Sequence, residues 1–144
     1  MTSSPTPLTK RATITSWIFQ LVPAVILLQT LYFKFTAAPE TVYIFKVVGL
    51  GAPGRIGTGV VELIAGICLL IPRFAWLGAA LAMGTLVGAI AAHLGPLGIT
   101  FEYPGGYEDG SLFAMACIAW LSSAVVLFIR RKSIPIVGAK YFGA

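Results

Sequence analysis

Four long apolar runs dominate this chain and decide what it can fold into. They lie at roughly Thr13–Phe33, Arg55–Ile71, Phe74–Leu94 and Ser111–Ile129. Runs of about 17–21 residues are long enough to cross the hydrocarbon core of a bilayer as helices. Backbone groups in lipid must find their partners within the segment, so each run is read as a helix. A transmembrane barrel would need shorter, alternating strands and is excluded. Composition agrees: 58% of the 144 residues are hydrophobic and only 10% are charged, against about 25% charged in an ordinary soluble domain. The sixteen glycines suit helices that pack closely in lipid. The fold class expected is all-α, an integral membrane four-helix bundle.

Charge sets the orientation. Lys10 and Arg11 precede span one, Arg73 separates spans two and three, and Arg130, Arg131, Lys132 and Lys140 follow span four. Lys34, Lys46 and Arg55 fall at the opposite ends, together with Glu40, Glu102, Glu108 and Asp109. The positive-inside rule then puts both termini in the cytoplasm of a cell (inner or plasma) membrane. The cluster Arg130-Arg131-Lys132 is expected to face anionic headgroups. No dense basic patch lies outside the runs, so a nucleic-acid partner is not expected.

Residues 1–12 read as a polar, disordered leader, 13–131 as the membrane domain and 132–144 as a tail. The N-terminus lacks a convincing cleavage site, so span one is read as retained. Between spans one and two, Pro39-Glu40 signals a helix start, and a Gly-rich stretch from Gly49 to Gly54 reads as a breaker. The segment between is too short to span, so a short interfacial helix is expected. Residues 95–110, rich in Gly, Pro and Tyr, read as a loop.

Several motifs have plain readings. Gly49, Gly51 and Gly54 spell GxGxxG, but without the strand–turn–helix context of a dinucleotide site they only mark a turn. Cys68 and Cys117 fall at different depths and read as packing residues. His93 with loop carboxylates is weak evidence for a metal, and none is expected. Trp17, Trp76, Tyr32, Phe33, Tyr103 and Tyr107 form an interfacial belt. Trp120 lies mid-span and packs internally.

Glu62 is the exception. It sits in an otherwise uncharged run, and an ionisable group there costs at least about 2.5 kcal/mol even on lenient insertion scales. Arg55, Gly59, Glu62 and Gly66 share one helical face, so Glu62 points at another helix. Gly78, Ala82, Thr85 and Ala89 of span three offer a complementary stripe. Lys34, Arg55 and His93 lie at matching depth, with Gln29 slightly deeper. Two readings follow: a polar pocket built from Glu62, Lys34, His93, Gln29 and Arg55 that takes a ligand, or a Glu62–Lys34 pair that only fixes helix register.

The ordered set of features resembles the DoxX family, in its DoxX-like branch. The matching pieces are Leu31-Tyr32-Phe33-Lys34-Phe35, Gly51-Ala52-Pro53, Glu62-Leu63-Ile64-Ala65-Gly66-Ile67, the run Ile71 to Ala79, Gly88–Leu94 ending near His93, and Asp109-Gly110-Ser111-Leu112-Phe113-Ala114. The resemblance covers about residues 15–131. It implies a small, largely bacterial four-helix membrane protein associated with redox complexes, some relatives being described as membrane subunits of a thiosulfate:quinone oxidoreductase. The expected role is an accessory component that binds a small amphipathic molecule such as a quinone or lipid, without a covalently bound cofactor. Its expected partners are membrane lipids, a redox protein and further copies of itself. A catalytic subunit in which the pocket hosts quinone reduction, and a purely structural or chaperone-like protein, are the alternatives. No catalytic residue is assigned.

Overall fold

The computed structural model describes residues 6–135 and 137–142. Helix α1 (Lys10–Phe35) is followed by α2 (Pro39–Val47), α3 (Gly51–Leu70) and α4 (Ala75–Leu94). A hairpin of β1 (Phe101–Tyr103) and β2 (Gly106–Glu108) leads into α5 (Ser111–Ile129), and the short α6 (Val137–Tyr141) ends the described chain. Helices α1, α3, α4 and α5 pack in a ring, with α1 against α3 and α5, and α4 against α3 and α5. All four are long and apolar enough to cross a bilayer, as expected of an all-α multi-pass membrane protein.

Only 28–33% of the most apolar window of each span is buried inside the bundle. The rest is an outward coat of large apolar side chains, among them Ile14, Ile18, Leu21 and Val25 on α1 and Val87, Leu121 and Phe128 on α4 and α5. Such a surface suits a hydrocarbon surrounding. The interior is built from small residues instead: Ala24, Ala65, Ala75, Ala79, Ala82 and Ala119 are almost wholly buried, with Leu27, Leu69 and Val126 filling between them.

The small-residue stripes work, but on different neighbours from those expected. A Cβ at Gly66 would fall 2.7 Å from Leu28, and one at Gly59 would fall 3.0 Å from the Phe35 ring. Both neighbours are on α1, so this face of α3 meets α1 and not α4. Gly78 of α4 does face α3, and more tightly: its Cβ would lie 2.6 Å from the Leu69 nitrogen and 2.7 Å from the Ala65 oxygen. One helix thus presents two separate close-contact faces.

Helix α2 is hung between two tight turns. After α1, Ala37 takes a left-handed conformation (φ 54°), and the Ala38 amide donates to Phe33 O at 3.0 Å. After α2, Gly49 does the same (φ 79°), and the Leu50 amide donates to Phe45 O at 3.0 Å. Both are six-to-one closures of the Schellman type. The expected breaker is therefore shorter than Gly49–Gly54: α3 begins at Gly51, and Pro53 sits in its first turn, where no amide hydrogen is needed. Helix α1 likewise begins at Lys10, inside the stretch read as leader, with Thr9 accepting a hydrogen bond from the Ala12 amide at 3.2 Å. Residues 1–5 of that leader lie outside the described residues.

The segment read as a loop contains the hairpin. Phe101 pairs with Glu108 and Tyr103 with Gly106; Pro104 and Gly105 (φ 102°) make the turn, a position that suits Gly. Phe101 is buried and stacks on Tyr43 of α2, with ring centroids 5.7 Å apart. The hairpin thereby ties α2 to the ends of α4 and α5.

Because the atoms facing Gly78 are backbone, Gly78→Ala is expected to destabilise the bundle by about 1–3 kcal/mol. Gly84→Ala, which meets nothing within 4 Å, is expected to be neutral or slightly stabilising. Thermal unfolding in detergent followed by circular dichroism checks both.

Candidate functional site

Lys34 is the last basic residue of α1, and Glu62 lies about three turns into α3. The antiparallel contact of these helices brings them together: Lys34 Nζ is 2.6 Å from Glu62 Oε2, with the two side chains only 12% and 10% exposed. Thr30, one turn below Lys34, joins the pair. Its hydroxyl accepts from Lys34 Nζ at 3.3 Å and lies 3.4 Å from Glu62 Oε2, while its own hydrogen is directed to Leu27 O at 2.8 Å. Lys34 therefore has one N–H without a protein acceptor among the described residues, and Glu62 Oε1 has no donor there.

Both residues line a cavity of about 320 Å³. Helices α1, α3, α4 and α5 form its walls, and α2 roofs it with Thr41, Ile44 and Phe45. The wall is mostly apolar. Its polar points are Lys34, Glu62, Gln29, Thr30, Thr58, Thr85, His93 and, at the rim, Glu40 and Thr41. Thr58 and Thr85 give their hydrogens to carbonyls of their own helices, at 2.9 Å and 3.1 Å, and so present acceptor oxygens. Gly88 and Ala89 of α4 keep the opposite wall open.

Four of the five residues singled out in the sequence line this cavity: Glu62, Lys34, His93 and Gln29. Gln29 is partnered by Met115 Sδ at 3.4 Å. His93 Nδ1 donates to Gly98 O at 2.9 Å, which sets its tautomer, and its ring sits 6.0 Å from Phe101 and 5.8 Å from Phe113. Arg55 is the correction. It does not line the cavity; its Nη1 donates to Lys34 O. A guanidinium at the open end of a helix satisfies a carbonyl that has no intrahelical partner, so Arg55 closes α1 and fixes the stem from which Lys34 projects.

At the rim, Glu108 is buried, and its Oε1 accepts from the Ser111 hydroxyl and the amides of Gly110 and Leu112, at 2.9–3.1 Å. It caps α5. For Glu40 of α2, burial first, then hydrogen bonding to Glu108 and the Glu108 charge, raise the pKa above its ordinary value. Two carboxyl groups can bond only while one holds a proton, so this contact between α2 and the hairpin is sensitive to pH.

The opposite end holds a network that the sequence reading missed. Arg130, expected to face headgroups, is turned inward and is only 9% exposed. Its Nε donates to Ser16 Oγ at 2.9 Å and its Nη2 to Gln20 Oε1 at 3.2 Å. Gln20 in turn donates to Leu69 O at 2.7 Å. Burial lowers the Arg130 pKa from its ordinary value. The available signal was the i, i+4 spacing of Ser16 and Gln20, which puts two polar groups on one face of α1. Mid-bundle, Trp120 Nε1 and Ser123 Oγ of α5 are buried without partners among the described residues. No protein-family model matches the chain, and no curated protein or solved structure matches it.

Breaking the ion pair on one side is expected to cost about 3 kcal/mol, whereas removing both charges restores most of the loss. Lys34→Met, Glu62→Leu and the double variant, compared in a double-mutant cycle of thermal unfolding, check this. For Glu40, the raised pKa means that the folded state holds its proton to higher pH than the unfolded chain does. Stability is then expected to fall as pH rises from the ordinary glutamate range through the folded pKa. Glu40→Gln is expected to flatten that slope, read from unfolding midpoints across pH.

Proposed function

We propose that this protein is an accessory, redox-associated membrane component whose cavity takes the polar head of a small amphipathic molecule, a quinone foremost. The observation that carries the reading is the free N–H of Lys34 beside the free Oε1 of Glu62 on a mostly apolar wall. A quinone carbonyl needs a donor, and the hydroxyl of a reduced quinol needs an acceptor as well. The pair offers both within one side chain's reach. Mostly apolar walls with a few convergent polar groups are the usual make-up of a small-molecule site, and about 320 Å³ is within its size range.

The resemblance to the DoxX-like branch supports the redox association. Under the positive-inside rule the cavity faces the non-cytoplasmic half of the inner or plasma membrane, with both termini cytoplasmic. Electrons for any quinone reduction would come from a partner chain.

The register-only reading also has an observation in its favour: Arg55 and Thr30 brace the Lys34–Glu62 pair as a structural pin would be braced. A variant that leaves the pair intact separates the two. A Cβ at Gly88 meets nothing within 4 Å, and Gly88 lies on the cavity wall. Gly88→Leu is thus expected to fill the cavity while the bundle keeps its stability. Full-length protein in nanodiscs should bind a short-chain ubiquinone, with affinity lowered at least about tenfold in both Gly88→Leu and Lys34→Met/Glu62→Leu. Equal affinity in all three proteins would sink the proposal and leave the pin.

A further inference from the structure

The Arg130 network lies at the end of the bundle opposite the cavity just described, and it leaves a charge unanswered. Among the described residues the ion pair Lys34–Glu62 is the one salt bridge, so Arg130 is 91% buried with only neutral partners, Ser16 and Gln20. A buried charge without a counter-charge is costly. Its Nη1 has no protein acceptor among those residues, while Nε and Nη2 are anchored. The guanidinium is therefore held in a fixed orientation with one edge free.

Arg130 also lines a second cavity, of about 500 Å³, whose wall carries Arg73 and Ser133 beside Pro72, Phe74, Trp76 and Pro135. Arg73 lies 5.6 Å over the Phe74 ring, which steadies it at the rim. No acidic residue lies at this end: the basic residues before span one, between spans two and three and after span four converge here, and all five acids lie toward the other end or inside the bundle.

We propose that this second cavity is a phosphate site, in which Arg130 and Arg73 hold the phosphodiester of an anionic lipid headgroup. Two guanidinium groups match phosphate oxygens in geometry and charge. The cavity is far roomier than an inorganic phosphate needs, and its half-apolar wall suits the glycerol and upper acyl segments that accompany a lipid phosphate. Basic pockets between spans on the cytoplasmic side are where anionic headgroups are met. The lipid supplies the counter-charge that the fold withholds from Arg130, and so it braces α1, α3 and α5 together.

The test is thermal unfolding of the full chain in a neutral detergent. Dioleoylphosphatidylglycerol, dioleoylphosphatidylcholine, and inorganic phosphate against chloride at equal ionic strength are added in turn. Wild type, Arg130→Gln, Arg73→Gln and Lys132→Gln are compared; Lys132 carries the same charge at the same end but does not line the cavity. Phosphatidylglycerol is expected to raise the Tm of wild type and Lys132→Gln by about 2–4 °C. The shift should vanish in Arg130→Gln and shrink in Arg73→Gln, with phosphatidylcholine giving less. The same arginine-dependent shift from inorganic phosphate alone keeps the site and assigns it to the free ion. Should Arg130→Gln fail to fold, the comparison of Arg73→Gln with Lys132→Gln decides. An equal shift in every protein, which is diffuse attraction, or no shift in wild type, overturns the proposal.

Discussion

A carboxylate inside an apolar bundle is the constraint around which the rest of this structure is arranged. Glu62 is tolerated because Lys34 meets it at 2.6 Å, and that meeting requires α1 and α3 to hold one vertical register. The glycines of α3 enforce it. Gly59 admits the Phe35 ring and Gly66 admits Leu28, so the two helices approach closely on either side of the ion pair. Sliding α3 by one turn would drive those side chains into larger residues and separate the charges together. Close packing and charge pairing here are a single geometric condition.

The buried charges of the molecule have different surroundings. Glu62 has a cation; Glu108 has two amides and a hydroxyl at the start of α5, where the helix dipole favours an anion. Arg130 has oriented neutral dipoles and, at the C-terminal end of α5, the opposite pole of the same helix. Thus α5 carries an acid at its beginning and a base at its end, both complementary to its dipole. The acid end is also the end closed by α2 and the hairpin, which makes the first cavity a roofed chamber and leaves the second bordered by loops.

Much of the fold was legible because lipid imposes simple rules. Hydropathy and length located the four spans, and Pro39-Glu40 located α2. Depth along antiparallel spans paired Lys34 with Glu62. What escaped is what those rules do not encode. Strands of three residues are too short to leave a period, so the hairpin around Pro104-Gly105 passed for a loop. Counting basic residues by side treats each as exterior, so the inward turn of Arg130 was invisible without its partners Ser16 and Gln20. Arg55 has the right depth for the cavity, but depth does not say whether a side chain points along the helix or across it; the open carbonyl of Lys34 captured it. Thr30, which completes the ion pair, carries nothing in the sequence that sets it apart from other polar residues within a span.

The surroundings of the ion pair argue for more than a structural pin. A pin is cheapest when its polar atoms are all satisfied and covered by apolar groups. Here Lys34 keeps a donor and Glu62 an acceptor without protein partners among the described residues, both beside open space. Around them the wall carries the hydroxyl oxygens of Thr58 and Thr85 and the His93 ring, none of which the register of α1 and α3 requires. Across the space stand Gly88 and Ala89, although a Cβ at Gly88 would meet nothing within 4 Å. An interior that forgoes available packing beside unsatisfied polar atoms has the form of a site kept open for an occupant.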